Sequence, residues 1–130
     1  MTKLNAILID PMSRTISEIQ LSGELNDYYK HLKCQTFTIV TVDWCGHEVD
    51  IFVDDEGLLN DGNEFFVFQG WHQPLAGRAL ILGHDDEGET TSCPIGIEEA
   101  ADAIGWVDTM GVLNGKFLIH TTQAEVVRRQ

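Results

Sequence analysis

The stretch "CQTFTIVTVDWCGHEVDIFVDDEG", Cys34 to Gly57, decides the fold class. Its first half is dense in Thr, Val, Ile and Phe, whose branched or aromatic side chains suit a pleated, half-buried surface. Cys45-Gly46 breaks the run and "HEVDIFVD" resumes it, which predicts two strands joined by a tight turn. The tetrapeptide DDEG then closes the second strand at Asp54, Asp55, Glu56 and Gly57. It recurs at Asp85, Asp86, Glu87 and Gly88, again after an apolar run, "ALILGH".

The repeated DDEG invites a metal-site reading, and the spacing argues against it. A helix-loop-helix calcium site needs oxygen ligands at loop positions 1, 3 and 5, glycine at 6 and a bidentate Glu at 12. Counting back from Gly57 and Gly88 puts Phe52 and Gly83 at the first position. The flanks also differ, Leu58-Leu59-Asn60 against Glu89-Thr90-Thr91, so the two copies are no internal duplication. Both are read as β-turns in which Asp bonds its own backbone and Gly takes positive φ. They are expected to place two acidic tips on the same edge of the sheet.

Outward from this stretch the antiparallel pattern continues. Lys3–Asp10 and Thr15–Leu21 are short β-branched or apolar runs joined by "DPMS", a hairpin signature. Ser22 is read as the N-cap of a helix over Glu24–Lys33, with Leu25, Tyr28, Tyr29 and Leu32 on one face. Downstream, "EFFVFQGW" and "GRALILGH" read as strands. Ile97, Ala100, Ala101 and Ile104 keep helical spacing, with Gly105 as the stop, and "KFLIHTT" reads as a last strand. The sum is an α+β fold: a mostly antiparallel sheet of about seven strands with two short helices. Residues 1–130 are expected to form one domain, with 122–130 as a frayed tail.

Charge is the unusual quantity. The 130 residues carry 21 acidic and 8 basic side chains, a formal net charge of −13. Between Cys34 and Gly115 stand sixteen acids against one cation, Arg78, a net of −15; the other basic residues lie near the two ends. Such a block repels phosphates and anionic headgroups, so nucleic acid and membranes are poor partners and a basic protein is a good one. The N-terminal apolar run is only Ala6–Ile9, shorter than a secretory signal needs, and three scattered cysteines (Cys34, Cys45, Cys93) suit a reducing cytoplasm.

Catalytic and cofactor signatures are absent from the sequence. Cys45-Gly46-His47 is a single ligand pair where zinc sites use two, and neither a G-x-S-x-G elbow, a phosphate loop nor HExxH is present. No cofactor and no metal are expected. Cys93, ahead of the second helix, lacks a histidine fixed near it by sequence and reads as an inert thiol. The aromatics Phe65, Phe66, Phe68 and Trp71 read mainly as core, with Trp71 beside His72 the best candidate for a recognition surface.

"LIDP", "VDDEGLL" and "GWHQPLAGRALILGHDDEGE" together resemble a family of small proteins from bacteria, phages and mobile elements, domain of unknown function number 3846. The similarity spans roughly residues 4 to 104 in patches and excludes the segment from Asp108 onward. The resemblance implies a cytoplasmic α+β protein often carried by mobile DNA, and it transfers no catalytic residues.

Two functions follow as expectations. The first is a non-enzymatic accessory protein whose acids at Asp54, Asp55, Glu56, Asp85, Asp86 and Glu87 meet a basic partner, in its sharpest form by imitating nucleic acid; plain solubility is the simpler use of the same charge. The second is a small-molecule or metal-binding module, conceivably an enzyme, with a pocket around Trp71, His72, Arg78 and His84. A homodimer stays open: edge strands invite it, and like charge opposes it unless basic termini meet the acidic block of a second copy.

Overall fold

The computed structural model describes residues 3–44, 46–56, 64–124 and 126. In chain order the elements are β1 (Leu4–Asp10), β2 (Thr15–Leu21), α1 (Leu25–Leu32), β3 (Phe37–Trp44), β4 (His47–Asp54) and β5 (Phe65–Phe68). There follow β6 (Leu75–Ala76), β7 (Ala79–His84), β8 (Thr90–Thr91), α2 (Ile97–Ala103), β9 (Ile104–Leu113) and β10 (Lys116–Gln123). Every strand pairing is antiparallel.

Both expected hairpins form. β1 and β2 pair from Leu4 opposite Leu21 to Asp10 opposite Thr15, and Asp10 shapes the turn by accepting the Met12 N–H at 3.1 Å. β3 and β4 pair from Phe37 opposite Asp54 to Trp44 opposite His47; Cys45 in their turn lies outside the described residues. β7 joins the two hairpins, giving the order β2-β1-β7-β4-β3, with β8 added beside the end of β7. Its run Ala79–Leu82 is buried throughout, which is why the sequence there is continuously apolar and does not alternate.

This main sheet is the middle of three layers. On one face Leu8, Phe52, Leu80 and Leu82 pack under Tyr28 and Leu32 of α1, with the Tyr28 ring stacked on Phe52 at 5.2 Å between centroids. On the other face Ile7, Ile9, Ile51 and Ile81 meet Phe66, Phe68 and Trp106 of a second sheet, ordered β10-β9-β5-β6, together with the alanines of α2. Phe66 and Phe68 are fully enclosed, each worth about 2 to 3 kcal/mol of burial. Phe65 and Val67 are half-buried on the opposite side of the strand.

Four sequence expectations change. Ser22 is not the N-cap of α1; Glu24 holds that position, while the Ser22 hydroxyl accepts the Glu24 N–H and the Ser22 N–H donates to Asp27 at 2.8 Å. The α2 helix stops at Ala103, because Ile104 is already extended and pairs with Phe68; Gly105 sits inside a strand opposite Val67. Among the described residues strands number ten in two sheets, since β6 and β8 are two-residue pairings and β9 was not legible as a strand. Gln123, expected in a frayed tail, continues β10 and pairs with Gly105, and Ala124 beyond it is buried.

Candidate functional site

β4 and β7 are antiparallel neighbours, with Asp50 opposite Leu82 and Val53 opposite Ala79. Each DDEG follows the C-terminal end of its strand, so the two acidic turns lie at opposite ends of the main sheet. The expectation of a shared edge is overturned by strand direction alone.

At the first end, Asp54 Oδ1 accepts the Glu56 N–H at 2.9 Å and the Asp55 N–H donates to Thr36 O at 3.2 Å; Gly57 lies outside the described residues. Arg78 stands at this end, just before β7. Its Nη2 is 3.1 Å from Asp10 Oδ2 and its Nη1 donates to His31 O at 3.3 Å, tying β1 to the end of α1. Both side chains are largely enclosed, at 21% and 11% exposure. The guanidinium is therefore occupied as a brace.

At the second end the turn is built by Asp85, whose Oδ1 accepts the N–H groups of Glu87 and Glu89, each at 2.9 Å. Gly88 takes φ +85, the left-handed geometry expected of it. With Asp85 engaged in the turn, Asp86 and Glu87 are the exposed carboxylates at its tip. Beneath it sits an arrangement not singled out in the sequence. Asp50, only 7% exposed, accepts the Thr41 hydroxyl at 2.7 Å and the His84 Nδ1–H at 2.8 Å. The other ring nitrogen of His84 is 3.7 Å from Glu48. The hydrogen bond and charge of Asp50, reinforced by Glu48 and Asp85, raise the His84 pKa above its ordinary value of 6.5. A legible hint existed: Asp50 interrupts an apolar strand, and a carboxylate there needs a partner.

Two depressions flank this turn. One is an open cleft of about 540 Å³ lined by His47, Glu48, His84, Asp85 and Asp86, with no Lys or Arg among its lining residues. The other is a groove of about 480 Å³ between α1 and the main sheet, lined by Leu25, Tyr28, Phe37, Ile39 and Phe52, with Glu89 and Thr90 on its side. Leu25 and Ile39 are 59% and 47% exposed, large apolar surfaces left in water.

The four residues of the expected pocket do not converge. Arg78 and His84 bracket β7 from opposite ends. Trp71 is partly buried against the core, its ring 4.6 Å from that of exposed His72 and its indole N–H enclosed without an acceptor among the described residues. No group of three potential metal-ligating side chains occurs among the described residues. Cys93 is partly buried, and desolvation pushes its thiol up to about 11, so it is protonated at neutral pH. No helix among the described residues is long and apolar enough to cross a membrane.

The fold is thus a three-layer α+β arrangement of two antiparallel sheets. The chain belongs to the family described as Domain of unknown function (DUF3846), whose model matches residues 1–105. It is similar to uncharacterized protein y4iR of Sinorhizobium fredii, 31% identical over 99 residues, covering 74% of this chain and 59% of that relative. The chain therefore spans less than two thirds of the length of that protein. No solved structure matches it significantly. The family match ends at the start of β9, so most of the β9–β10 hairpin lies beyond it.

Proposed function

We propose that this protein is a non-enzymatic binding module that captures a basic, partly apolar segment of another protein at the β7–β8 end of its main sheet. The observation that carries this reading is the adjacency of the two depressions. The segment from Asp85 to Thr90 walls an acidic cleft on one side and an apolar groove on the other. An apolar side chain seated between Leu25, Tyr28 and Ile39 would bring a neighbouring Lys or Arg to Glu48, Asp86 and Glu87. Burial supplies affinity, and charge supplies encounter rate and orientation.

The proposal confines binding to one end. Imitation of a run of phosphates would rest on the second DDEG turn alone, because the first is at the far end beside Arg78. The site of action proposed is the cytoplasm, in keeping with the free thiols of Cys34 and Cys93.

The test is fluorescence anisotropy with a peptide that alternates arginine with leucine, against controls with glutamate for arginine and serine for leucine. Binding of the first peptide alone, weakening steeply as salt rises, is the expected result. Asp86→Lys with Glu87→Lys should abolish it, and Ile39→Ser should weaken it about tenfold, the order of one buried apolar side chain. Equal affinity for wild type and both variants would sink the proposal.

His84 favours a second reading, a small ligand in the acidic cleft. Its ring is oriented by Asp50 while its second nitrogen faces Glu48. Thermal-shift screening against divalent metals and nucleotides, repeated in His84→Ala, separates the two: stabilisation by one compound, lost in the variant, supports the small-ligand site.

A further inference from the structure

The β9–β10 hairpin begins inside the molecule and ends outside it. Ile104, Trp106 and Val107 are buried, but from Asp108 to the turn and back to Gln123 every residue whose side chain is described is exposed. The turn itself is ideal, with Asn114 and Gly115 both at positive φ as a two-residue hairpin requires. Past the core, then, two strands run on with no third strand and no helix of the described residues beneath them. An isolated two-stranded ribbon is marginal in water.

Its surface is also wrong for water. Met110, Val112 and Leu118 are 47%, 66% and 53% exposed, and Ile119, directly opposite Met110, is 36% exposed. Among the described residues β10 is an edge strand of its sheet, eight residues and so about 26 Å of backbone with one side unpaired by any of them. It carries one lysine, at its first position, and its first five residues precede a register shift between His120 and Thr121. Edges of this kind are usually blunted by charge, proline or bulges; here the straight part has only Lys116, at its start.

Charge selects the occupant. The chain carries −13, yet the hairpin holds only Asp108 and Lys116, and Asp108 is already paired with Arg14 at 2.9 Å and bonded by Thr122. This is a surface on which two copies of a strongly acidic protein can meet without bringing carboxylates together. A basic partner has its complement at the β7–β8 end instead. We infer that the projecting part of the β9–β10 hairpin is a homodimerisation element, in which Lys116–His120 of β10 pairs antiparallel with the same segment of a second copy. Pairing about a two-fold axis makes one continuous eight-stranded sheet and sets Leu118, at the centre of the paired segment, beside its counterpart in the second copy. It also accounts for a hairpin that extends beyond the family match, and it is independent of the peptide-binding site.

Sedimentation equilibrium of the full chain at roughly 100 µM and at tenfold dilutions tests the inference. The expected result is a dimer whose dissociation constant rises at least about tenfold in Leu118→Lys and in Ile119→Lys, with unchanged far-ultraviolet circular dichroism. Added salt should leave the dimer intact or tighten it, because it screens the net repulsion of two acidic bodies. A monomer at every concentration overturns the inference. So does a dimer that salt dissociates and Leu118→Lys leaves alone, which would place the contact between basic termini and the acidic block. Should either lysine variant unfold, Lys116→Glu replaces it and is expected to weaken the dimer by bringing two carboxylates to the paired edge.

Discussion

The two ends of the main sheet carry the same tetrapeptide and the same problem, a buried aspartate, and solve it differently. Asp10 is matched by Arg78, a guanidinium that is also bonded to the end of α1. Asp50 is matched by His84, a cation only while it is protonated. One end is a fixed brace; the other is a titratable junction under an acidic turn. Sequence motif and local charge do not distinguish them, whereas the identity of the base that each carboxylate meets does.

The largest effect should come from breaking the brace. Arg78→Met leaves Asp10 nearly enclosed without its cation and should cost about 3 kcal/mol in urea unfolding, the lower end for a severed buried pair because Asp10 keeps its Met12 N–H. Asp10→Asn combined with Arg78→Met should recover part of that loss, since no charge is then left unpaired. Equal losses in the single and double variants would show that Arg78 acts through packing alone.

The junction at His84 should respond to pH. The native pKa of His84 lies above 6.5, so its pairing with Asp50 stabilises fully below that value and is lost as pH rises through the native pKa. Melting temperature is therefore expected to fall as pH rises above 6.5 and through the raised native pKa, and His84→Gln should flatten this part of the profile. An unchanged slope in the variant would assign the dependence to another group.

The smallest effect is local to the second turn. Gly88→Ala forces a side chain into φ +85 with no neighbouring atom to clash, so only the backbone penalty of about 1 kcal/mol is expected. Because the turn walls both depressions, binding of the arginine-leucine peptide should weaken more than stability does. Loss of stability without loss of binding would detach the turn from the site.

Much of the fold was legible. The hairpins around "DPMS" and Cys45-Gly46, the Tyr28–Leu32 face of α1 and the apolar run of β7 are all local patterns, and each forms where its pattern predicts. β9 was missed because Asp108, Thr109 and Gly111 interrupt its alternation; the pair Asn114-Gly115 ahead of "KFLIHTT" was the signal that could have located it. The helix boundary at Ala103 was missed because Ile104 fits the helical spacing equally well, and pairing with β5 overrides it. At the candidate site, Asp85, Asp86, Glu87 and His84 were singled out by sequence, while Asp50, Glu48 and the apolar groove were not.

By itself the sequence determined what depends on neighbours along the chain: strand and helix periods, turn chemistry, the acidic block and the absence of catalytic motifs. Tertiary structure alone decided which end of which strand meets which. Antiparallel pairing of β4 with β7 carries the two DDEG turns to opposite ends, delivers His84 to Asp50, and removes Arg78 to a brace with Asp10. The physical reason is that register and direction are set by burial of whole sheet faces, a sum over distant residues, which no short stretch of chain contains.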